Sequence, residues 1–374
     1  MPAKTRSLPL LLPSVLFAWS VALLLMLTIN ILAQSSDPAG EAITPENAAD
    51  VRYIDNLKQA SQEQTGLVWS PQGRQLAIAG MGGIWIYEWT AEGRRLVRQL
   101  ETKLQMEGLA YSSDGSLLIA SRQGEALTWL WDIETGNLAA TFQLGGVLGF
   151  VADDSLIALR TDHGVDFWGI PGGEVITPEN AYRLKYIASI KATDDEIAAS
   201  LLQIALSPDG HSIAFVYQHD FQDKPYTVSH WDIATHQSIW TQEFGADKQS
   251  GTGATINNKL ITFTPDSQQI AVYQGNKDKT ISLFNADDGN ITAVLESDPG
   301  ELSAMSMAFT PDGRVLAVAA LIAHSADDHE FVLDLWDVEH QTLAARLDSV
   351  VSLYHDLAFS SDGALLAGIF PYEP

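Results

Sequence analysis

Residues 307–319 read MAFTPDGRVLAVA, which is two short apolar strands joined by the turn T-P-D-G at 310–313. Proline at the second turn position fixes φ near the type I value, Asp suits the third position, and Gly relieves crowding at the fourth. Variants of this unit are LVWSPQGRQLAIA (67–79), LAYSSDGSLLIAS (109–121), LGFVADDSLIALR (148–160), IALSPDGHSIAFV (204–216), ITFTPDSQQIAVY (261–273) and LAFSSDGALLAGI (357–369). A period of about 40–50 residues indicates a propeller or solenoid, whose units bury their apolar faces against each other.

Most copies continue into a third strand that ends in an aromatic residue, often followed by an acid. The clearest endings are Trp131-Asp132, Trp231-Asp232 and Trp336-Asp337, and weaker ones are Tyr87-Glu88, Trp168-Gly169 and Phe284-Asn285. A polar turn and a fourth strand follow, so each unit is predicted to contain four antiparallel strands. We expect Asp132, Asp232 and Asp337 to accept backbone hydrogen bonds in tight turns rather than to take part in chemistry.

The S-P-D-G turn and the W-D ending, repeated in register over roughly residues 50–374, resemble the repeats of WD-repeat β-propellers. The resemblance implies an all-β, seven-bladed β-propeller of four-stranded antiparallel blades. Better-known members of that family carry a Gly-His pair at the start of each repeat, and its His joins the Trp and Asp in a hydrogen-bonded tetrad. The pair Gly210-His211 lies instead inside a turn. We therefore expect stability to rest on apolar packing and on the turns.

A second motif, I-T-P-E-N-A, occurs at 43–48 and again at 176–181. It resembles the lead-in segment that often precedes the first blade of bacterial WD-repeat proteins. We expect the first copy to supply an outer strand that closes the ring against the last blade. The seventh unit ends two strands into its blade, so either the last blade has three strands or the sequence is a truncated fragment.

The first 33 residues differ in character from the repeats. Lys4 and Arg6 precede an apolar run over 8–32. A cleavable signal peptide has an apolar region of about 7–15 residues and a spanning helix needs about 20. The stretch 15–32 falls between these lengths, so a signal peptide cleaved after Ala33 and an uncleaved anchor both stay open. In both cases we expect a hydrophobic helix and an extracytoplasmic propeller that touches the membrane only through this segment. The expected domains are 1–33 (signal peptide or anchor), 34–44 (linker) and 45–374 (propeller).

Charge and cysteine content narrow the possible ligands. The chain has 21 basic and 47 acidic residues, a net charge of −26, and no cysteine. The absence of cysteine fits a bacterial exported protein and excludes disulfides and thiolate zinc sites. An acidic surface repels phosphate backbones, so we expect no nucleic-acid ligand, whereas cations or basic protein patches are permitted. The same acidity keeps a β-rich protein soluble, and we expect a monomer without a cofactor.

The repeats differ most in four insertions, at 191–200, 218–225, 246–258 and 323–330. The first and third join a fourth strand to the next first strand, and the others join second and third strands, so all four are expected on one face, here called the insertion rim. Its candidate binding residues are Asp194, Asp195, His219, Asp220, Phe221, His324, Asp327 and His329. Such side chains suit divalent cations, but no spacing matches an EF-hand loop or an H-E-x-x-H helix. Solvated loops or a protein-binding patch are favoured over a metal site.

No catalytic motif accompanies the repeats. The sequence lacks a G-x-S-x-G nucleophile elbow, a Walker loop and a Rossmann glycine fingerprint, so no catalytic residue is assigned. Two classes of function remain. One is a non-catalytic platform that docks protein partners or extended peptides, and the other is a propeller-type lactonase or metal-dependent hydrolase with a central ion. The missing motifs and the likeness to WD-repeat units favour the platform.

Overall fold

Short β-strands and tight turns make up nearly all of the regular structure in the computed structural model of this chain. The structure describes residues 26–33, 40–57, 64–71, 73, 75–90, 93–122, 127–143, 146–162, 164–192, 199–219, 226–244, 261–274, 280–296, 301–323, 329–347 and 356–372. The strands up to the middle of the chain are β1 (Met26–Ala33), β2 (Arg52–Leu57), β3 (Gln64–Trp69), β4 (Gln75–Thr90), β5 (Gly93–Tyr111), β6 (Leu117–Arg122), β7 (Thr128–Asp132), β8 (Leu138–Phe142), β9 (Val147–Val151), β10 (Leu156–Arg160), β11 (Gly164–Gly169) and β12 (Lys185–Lys191).

The remaining strands belong to the second half of the repeat array. They are β13 (Ala199–Leu206), β14 (Ser212–His219), β15 (Tyr226–Asp232), β16 (Gln237–Phe244), β17 (Ile261–Phe263), β18 (Gln269–Gln274), β19 (Thr280–Asn285), β20 (Ile291–Glu296), β21 (Glu301–Phe309), β22 (Val315–Ala323), β23 (His329–Asp337), β24 (Thr342–Leu347), β25 (Asp356–Phe359) and β26 (Leu365–Tyr372). Two short 3-10 helices, η1 (Ala48–Asp50) and η2 (Ala181–Arg183), precede β2 and β12. The described ranges contain no α-helix.

Six antiparallel sheets make up seven blades. Five sheets have four strands, and the sixth has the order β3-β4-β5-β6-β7-β8. In that sheet β4 pairs with β3 through its first part and with β5 through its second, and β5 likewise pairs with both β4 and β6. Strands β4 and β5 thus each serve as two strands, and the sheet holds blades one and two. Blade three is β9 to β12, blade four β13 to β16, blade five β17 to β20, blade six β21 to β24, and blade seven β25, β26, β1 and β2.

Apolar side chains fill the space between every pair of neighbouring blades. One buried cluster lies at each junction, from blades one and two around to blades seven and one. The first strands of successive blades contact one another around the centre, for example β9 with β13 and β25 with β3. The prediction of a seven-bladed propeller with four-stranded antiparallel blades, stabilised by packing between its repeats, is confirmed.

Blade seven joins the two ends of the described chain. Its order is β25-β26-β1-β2, so the N-terminal part of the sequence supplies both the third and the fourth strand. The expected outer strand from the first lead-in copy is β2, which confirms that part of the prediction. The expectation of a blade left at least one strand short is wrong, because β1 fills the third position. A hydrophobic helix is not supported either, since Met26–Ala33 is a strand; residues 1–25 lie outside the described residues.

No membrane-crossing helix is found in the ranges given above: none of the helices there has the necessary length and apolar character.

A bulge in the fourth strand marks the W-D position in every blade. The register between third and fourth strands shifts just before Tyr87, Trp131, Trp168, Trp231, Phe284, Trp336 and, in blade seven, Leu32. The acid that follows caps the next turn: Asp132 accepts hydrogen bonds from the Glu134 and Thr135 backbone N–H groups at 2.8 and 3.2 Å. The Thr135 hydroxyl, at 2.6 Å, helps to hold the pKa of Asp132 below its usual range.

Two further turns show the same capping. Asp232 accepts from the Thr235 N–H and Asp337 from the His340 N–H. Trp231 donates its Nε1–H to Ser229 Oγ, two residues earlier on the same strand, and His211 is an exposed turn residue. Asp232 and Asp337 thus form turns, as the sequence predicts for these acids. His211 lies in a turn and not at the position of the histidine in the family's Trp-Asp-His tetrad.

The S-P-D-G turns touch one another around one face and form what we call the turn ring. Ser113 N–H donates to Asp154 Oδ2 at 2.8 Å, which joins blades two and three, and Ala152 N–H donates to the Gly210 carbonyl at 2.9 Å, which joins three and four. The Asp209 N–H donates to Ser267 Oγ at 3.2 Å. The ring links neighbouring blades through polar contacts in addition to the apolar clusters.

His230 on β15 is enclosed between blades four and five, with only 4% of its surface exposed. Its Nδ1 lies 2.8 Å from the Ala286 carbonyl oxygen, which also accepts the Trp240 Nε1–H at 2.7 Å. Because a carbonyl only accepts, the neutral ring carries its proton on Nδ1. Protonation at the buried Nε2 would enclose a charge, and burial accordingly lowers the pKa of His230 below its usual value.

This burial predicts a pH dependence of stability. Below about pH 6.5 the unfolded chain binds a proton at this position that the folded chain does not, so the free energy of unfolding falls as the pH decreases. The contribution is at most about 1.4 kcal/mol per pH unit. Urea denaturation of the wild type and of His230→Phe between pH 7.5 and pH 5 should show a shallower decrease in the variant. Equal slopes would contradict a neutral buried His230.

Candidate functional site

The strands that flank the four insertions have the connection types that the sequence predicts. The gaps in the described chain at 193–198 and 245–260 join a fourth strand to the next first strand, and those at 220–225 and 324–328 join second and third strands. His219, at the end of β14, is the Cα partner of Ala199 at the start of β13, so both connection types leave from the same edge. His329 begins β23 opposite Ala323.

The chemistry of the insertion rim stays a prediction. Asp194, Asp195, Asp220, Phe221, His324 and Asp327 lie outside the described residues. Within the described ranges, no group of three or more His, Asp or Glu side chains is arranged to hold a metal ion. Of the binding residues that the sequence suggests, the structure therefore locates only His219 and His329, each at the end of a strand.

The duplicated lead-in motif gives a second candidate region, at the outer wall of the ring. In each copy the Asn side chain closes the turn: Asn47 Oδ1 accepts from the Thr44 N–H and Asn180 Oδ1 from the Thr177 N–H, both at 2.8 Å. Each copy also docks on the turn of its own blade, through Ile43 N–H to the Gly363 carbonyl and Ile176 N–H to the Asp154 carbonyl. Both copies therefore join a third strand to a fourth strand in the same way.

The buried faces of the two copies are alike. Ile43, Ala48 and Val51 pack in the cluster between blades six and seven. Ile176, Ala181 and Leu184 pack in the cluster between blades two and three. The two segments therefore fill equivalent positions between neighbouring blades. Packing does not require their exposed residues to differ.

The exposed faces differ. Tyr182 is 76% exposed at the position that Ala49 holds in the first copy, and Val175 is 53% exposed at the position of Ala42. Ile187 is 43% exposed, whereas its counterpart Ile54 packs against the cluster between blades seven and one. The second copy has thus gained exposed aromatic and aliphatic surface.

These side chains are exposed on the outside of blade three, and Leu138 lies beside η2 on β8 of blade two. The outer-wall patch consists of Leu138, Val175, Tyr182, Tyr186 and Ile187, which are half of the ten large apolar residues exposed in the described chain. Tyr186 packs edge-on against Trp168, with ring centroids 6.1 Å apart, and η2 contacts β8, which carries Leu138. The other exposed apolar residues occur singly or in pairs on other blades, so this wall stands out.

Polar groups border the patch. Arg183 donates to both carboxylate oxygens of Glu174, at 2.7 and 3.1 Å, and this ion pair raises the pKa of Arg183. Lys185 is exposed next to Tyr186. An apolar centre with Tyr side chains and a charged border is the composition of protein-binding surfaces. This wall was not predicted from the sequence, although the change from Ala49 to Tyr182 between the two motif copies was a usable signal.

Comparison with known proteins identifies the fold. No protein-family model matches the sequence. No curated protein matches it either. Among solved structures, the chain is similar to the crystal structure of the Cps50 (Swd1) β-propeller domain of Myceliophteria thermophila, with a TM-score of 0.59 and 15% sequence identity, over 84% of this chain and 99% of that domain. At this identity the likeness shows a shared fold: the chain is a β-propeller.

Proposed function

We propose that this protein is an exported, non-catalytic propeller that serves as a platform for a protein partner, which docks on the outer-wall patch. The observation that carries the proposal is the exposed group of Val175, Tyr182, Tyr186 and Ile187: Val175 and Tyr182 stand where the first motif copy has Ala42 and Ala49, and Ile187 is exposed where Ile54 is packed. Export is supported by Lys4, Arg6 and the apolar residues that follow them in the sequence.

The physical case for a protein partner rests on the residue types. Tyr side chains offer a large contact area and lose little conformational freedom on binding, and a few such anchors carry most of the energy of an interface. The wall is formed by fourth strands and by a segment fixed through backbone hydrogen bonds, so it is organised before binding. A net charge of −26 favours a partner whose contact surface is basic or neutral outside its apolar centre.

Capture experiments with matched variants test the proposal. The purified full-length protein is used to capture proteins from membrane and secreted fractions of its host, and the captured protein is then titrated. The double variant Tyr182→Ala, Ile187→Ser should weaken binding at least about 30-fold, as expected for loss of a hot spot of about 2 kcal/mol. Leu343→Ser, at the position of Leu138 on the blade-six wall, should leave binding unchanged and control for general surface changes.

Two other outcomes would redirect or overturn the proposal. A variant in which 220–225 and 324–328 are replaced by two-residue Asn-Gly turns should keep binding, since those loops leave from the insertion rim; loss of binding in this variant alone would move the site to the rim. Stoichiometric metal in elemental analysis, together with hydrolysis that a chelator abolishes, would support the lactonase or hydrolase alternative instead.

A further inference from the structure

The third strand of blade seven comes from the N-terminal apolar run. Strand β1 pairs with β26 along all eight of its residues, from Met26 opposite Tyr372 to Ala33 opposite Leu365. On its other side β1 pairs with β2, from Ile29 opposite Leu57 to Ala33 opposite Arg52. Among the described strands, β2 has no other neighbour in this blade, so β1 alone connects it to the sheet.

Both faces of β1 are buried near its C-terminal end. Ile31 and Ala33 are 0% and 2% exposed and lie in the cluster with blade one, against residues such as Leu67 and Trp69. Leu32 is 3% exposed and lies in the cluster with blade six and with Ile43 of the lead-in. A strand between β26 and β2 must therefore be apolar. It contacts blades six and one as well as its own blade seven.

We propose that β26 and β2 form a strand-acceptor slot whose ligand is the chain's own segment 26–33, and that this segment is retained in the folded protein instead of being removed at Ala33. The peptide bond after Ala33 follows a residue that is buried and paired on both sides, so a peptidase can reach it only when the blade opens. Removal before folding would leave β26 with an unpaired edge and β2 without a neighbour. This inference does not depend on the proposed function, because an enzyme would need the same closed ring.

Cross-linking in the full chain tests the slot directly. The native sequence has no cysteine, so an introduced pair reports on one contact only. Ala33→Cys with Leu365→Cys places the two thiols on directly opposed residues, where strand geometry permits a disulfide. Ala33→Cys with Leu366→Cys is the matched control, because the second thiol points to the other face. Oxidation with copper phenanthroline should join the first pair and not the second; equal cross-linking, or none in the first pair of a folded protein, would contradict the slot.

A second experiment leaves the core of the tested chain unchanged and uses a core substitution only in its control. A specific protease site is placed within 34–39 of the full chain, and the folded protein is cut in a mild detergent. The N-terminal fragment should co-elute with the propeller and separate only after denaturation. The same chain with Ile31→Lys should release the fragment. Separation of the unsubstituted fragment under native conditions, or an intact mass showing that the folded native protein begins at Gln34 and lacks the fragment, would overturn the proposal.

Discussion

Replacing Arg346 with leucine is expected to lower the free energy of unfolding by about 3–5 kcal/mol. Asp334, in the middle of β23, has a fully buried side chain. Its two carboxylate oxygens accept from Arg346 Nε and Nη2 on the neighbouring β24, at 2.7 and 2.8 Å. Removing the arginine leaves a carboxylate enclosed among the apolar residues of blade six, and the loss of stability reflects that uncompensated charge. Urea denaturation followed by tryptophan fluorescence measures the change.

Two controls separate the buried charge from other effects. The double variant Asp334→Leu, Arg346→Leu removes both charges and should recover most of the lost stability, since an apolar replacement of a buried ion pair is often neutral. Arg183→Leu breaks the exposed pair with Glu174 and should lower the free energy of unfolding far less, because solvent screens the exposed charges. If the single variant Arg346→Leu were as stable as Arg183→Leu, the account of Asp334 as a buried, paired carboxylate would be wrong.

Phe167→Ala is expected to destabilise the protein by a similar amount, about 3–5 kcal/mol. Phe167 on β11 is fully buried in the cluster between blades three and four, where its ring stacks on His236 at a centroid distance of 6.2 Å. Truncation removes apolar contacts and leaves a cavity. The two blades cannot fill it by moving together, because the closed circle of seven blades fixes their spacing.

A matched substitution shows whether burial causes the effect. Phe150, on β9 of the same blade, is only partly buried against the cluster between blades two and three. Phe150→Ala should therefore cost clearly less, and thermal unfolding of both variants gives the comparison. An equal loss of stability for Phe150→Ala and Phe167→Ala would mean that aromatic content in blade three, rather than burial at the blade junction, determines the effect.

The repeated turn was sufficient to predict most of the fold. The Pro, Asp and Gly positions in copies such as 310–313 specify a reversal by local geometry alone, and seven reversals with flanking apolar strands leave few architectures other than a ring. Even the degenerate copy at 151–154 keeps its place, because Ala152 and Asp154 bond to the turns on either side of it. Contacts between turns compensate for the missing Pro and Gly.

Strand β1 was not predicted because overall hydrophobicity outweighed a weaker pattern. Residues 26–33 lie at the end of a long apolar run, which length and flanking charge assign to a targeting helix. Thr28 and Asn30 alternate with Leu27, Ile29 and Ile31, and this period of two is typical of a strand. The pairing that stabilises β1 is with β26 at the opposite end of the sequence, and no local signal reports such a contact.

The outer-wall patch was missed for a different reason. Loop length and charged residues indicate the insertion rim, whereas exposure of Tyr182 and Tyr186 depends on which side of η2 and β12 faces the core. That orientation is set by Ile176 and Ala181 beneath them. The duplicated motif could have indicated it, because Ile176 and Ala181 repeat Ile43 and Ala48, whereas the exposed Tyr182 replaces Ala49.

The position of β1 also sets an order of events during biosynthesis. A ribosome makes residues 26–33 before any other described strand, whereas their partners on β26, residues 365–372, follow all the strands of the other six blades. The ring therefore cannot close until residues 365–372 have been synthesised, and until then the apolar segment 26–33 lacks its native partner.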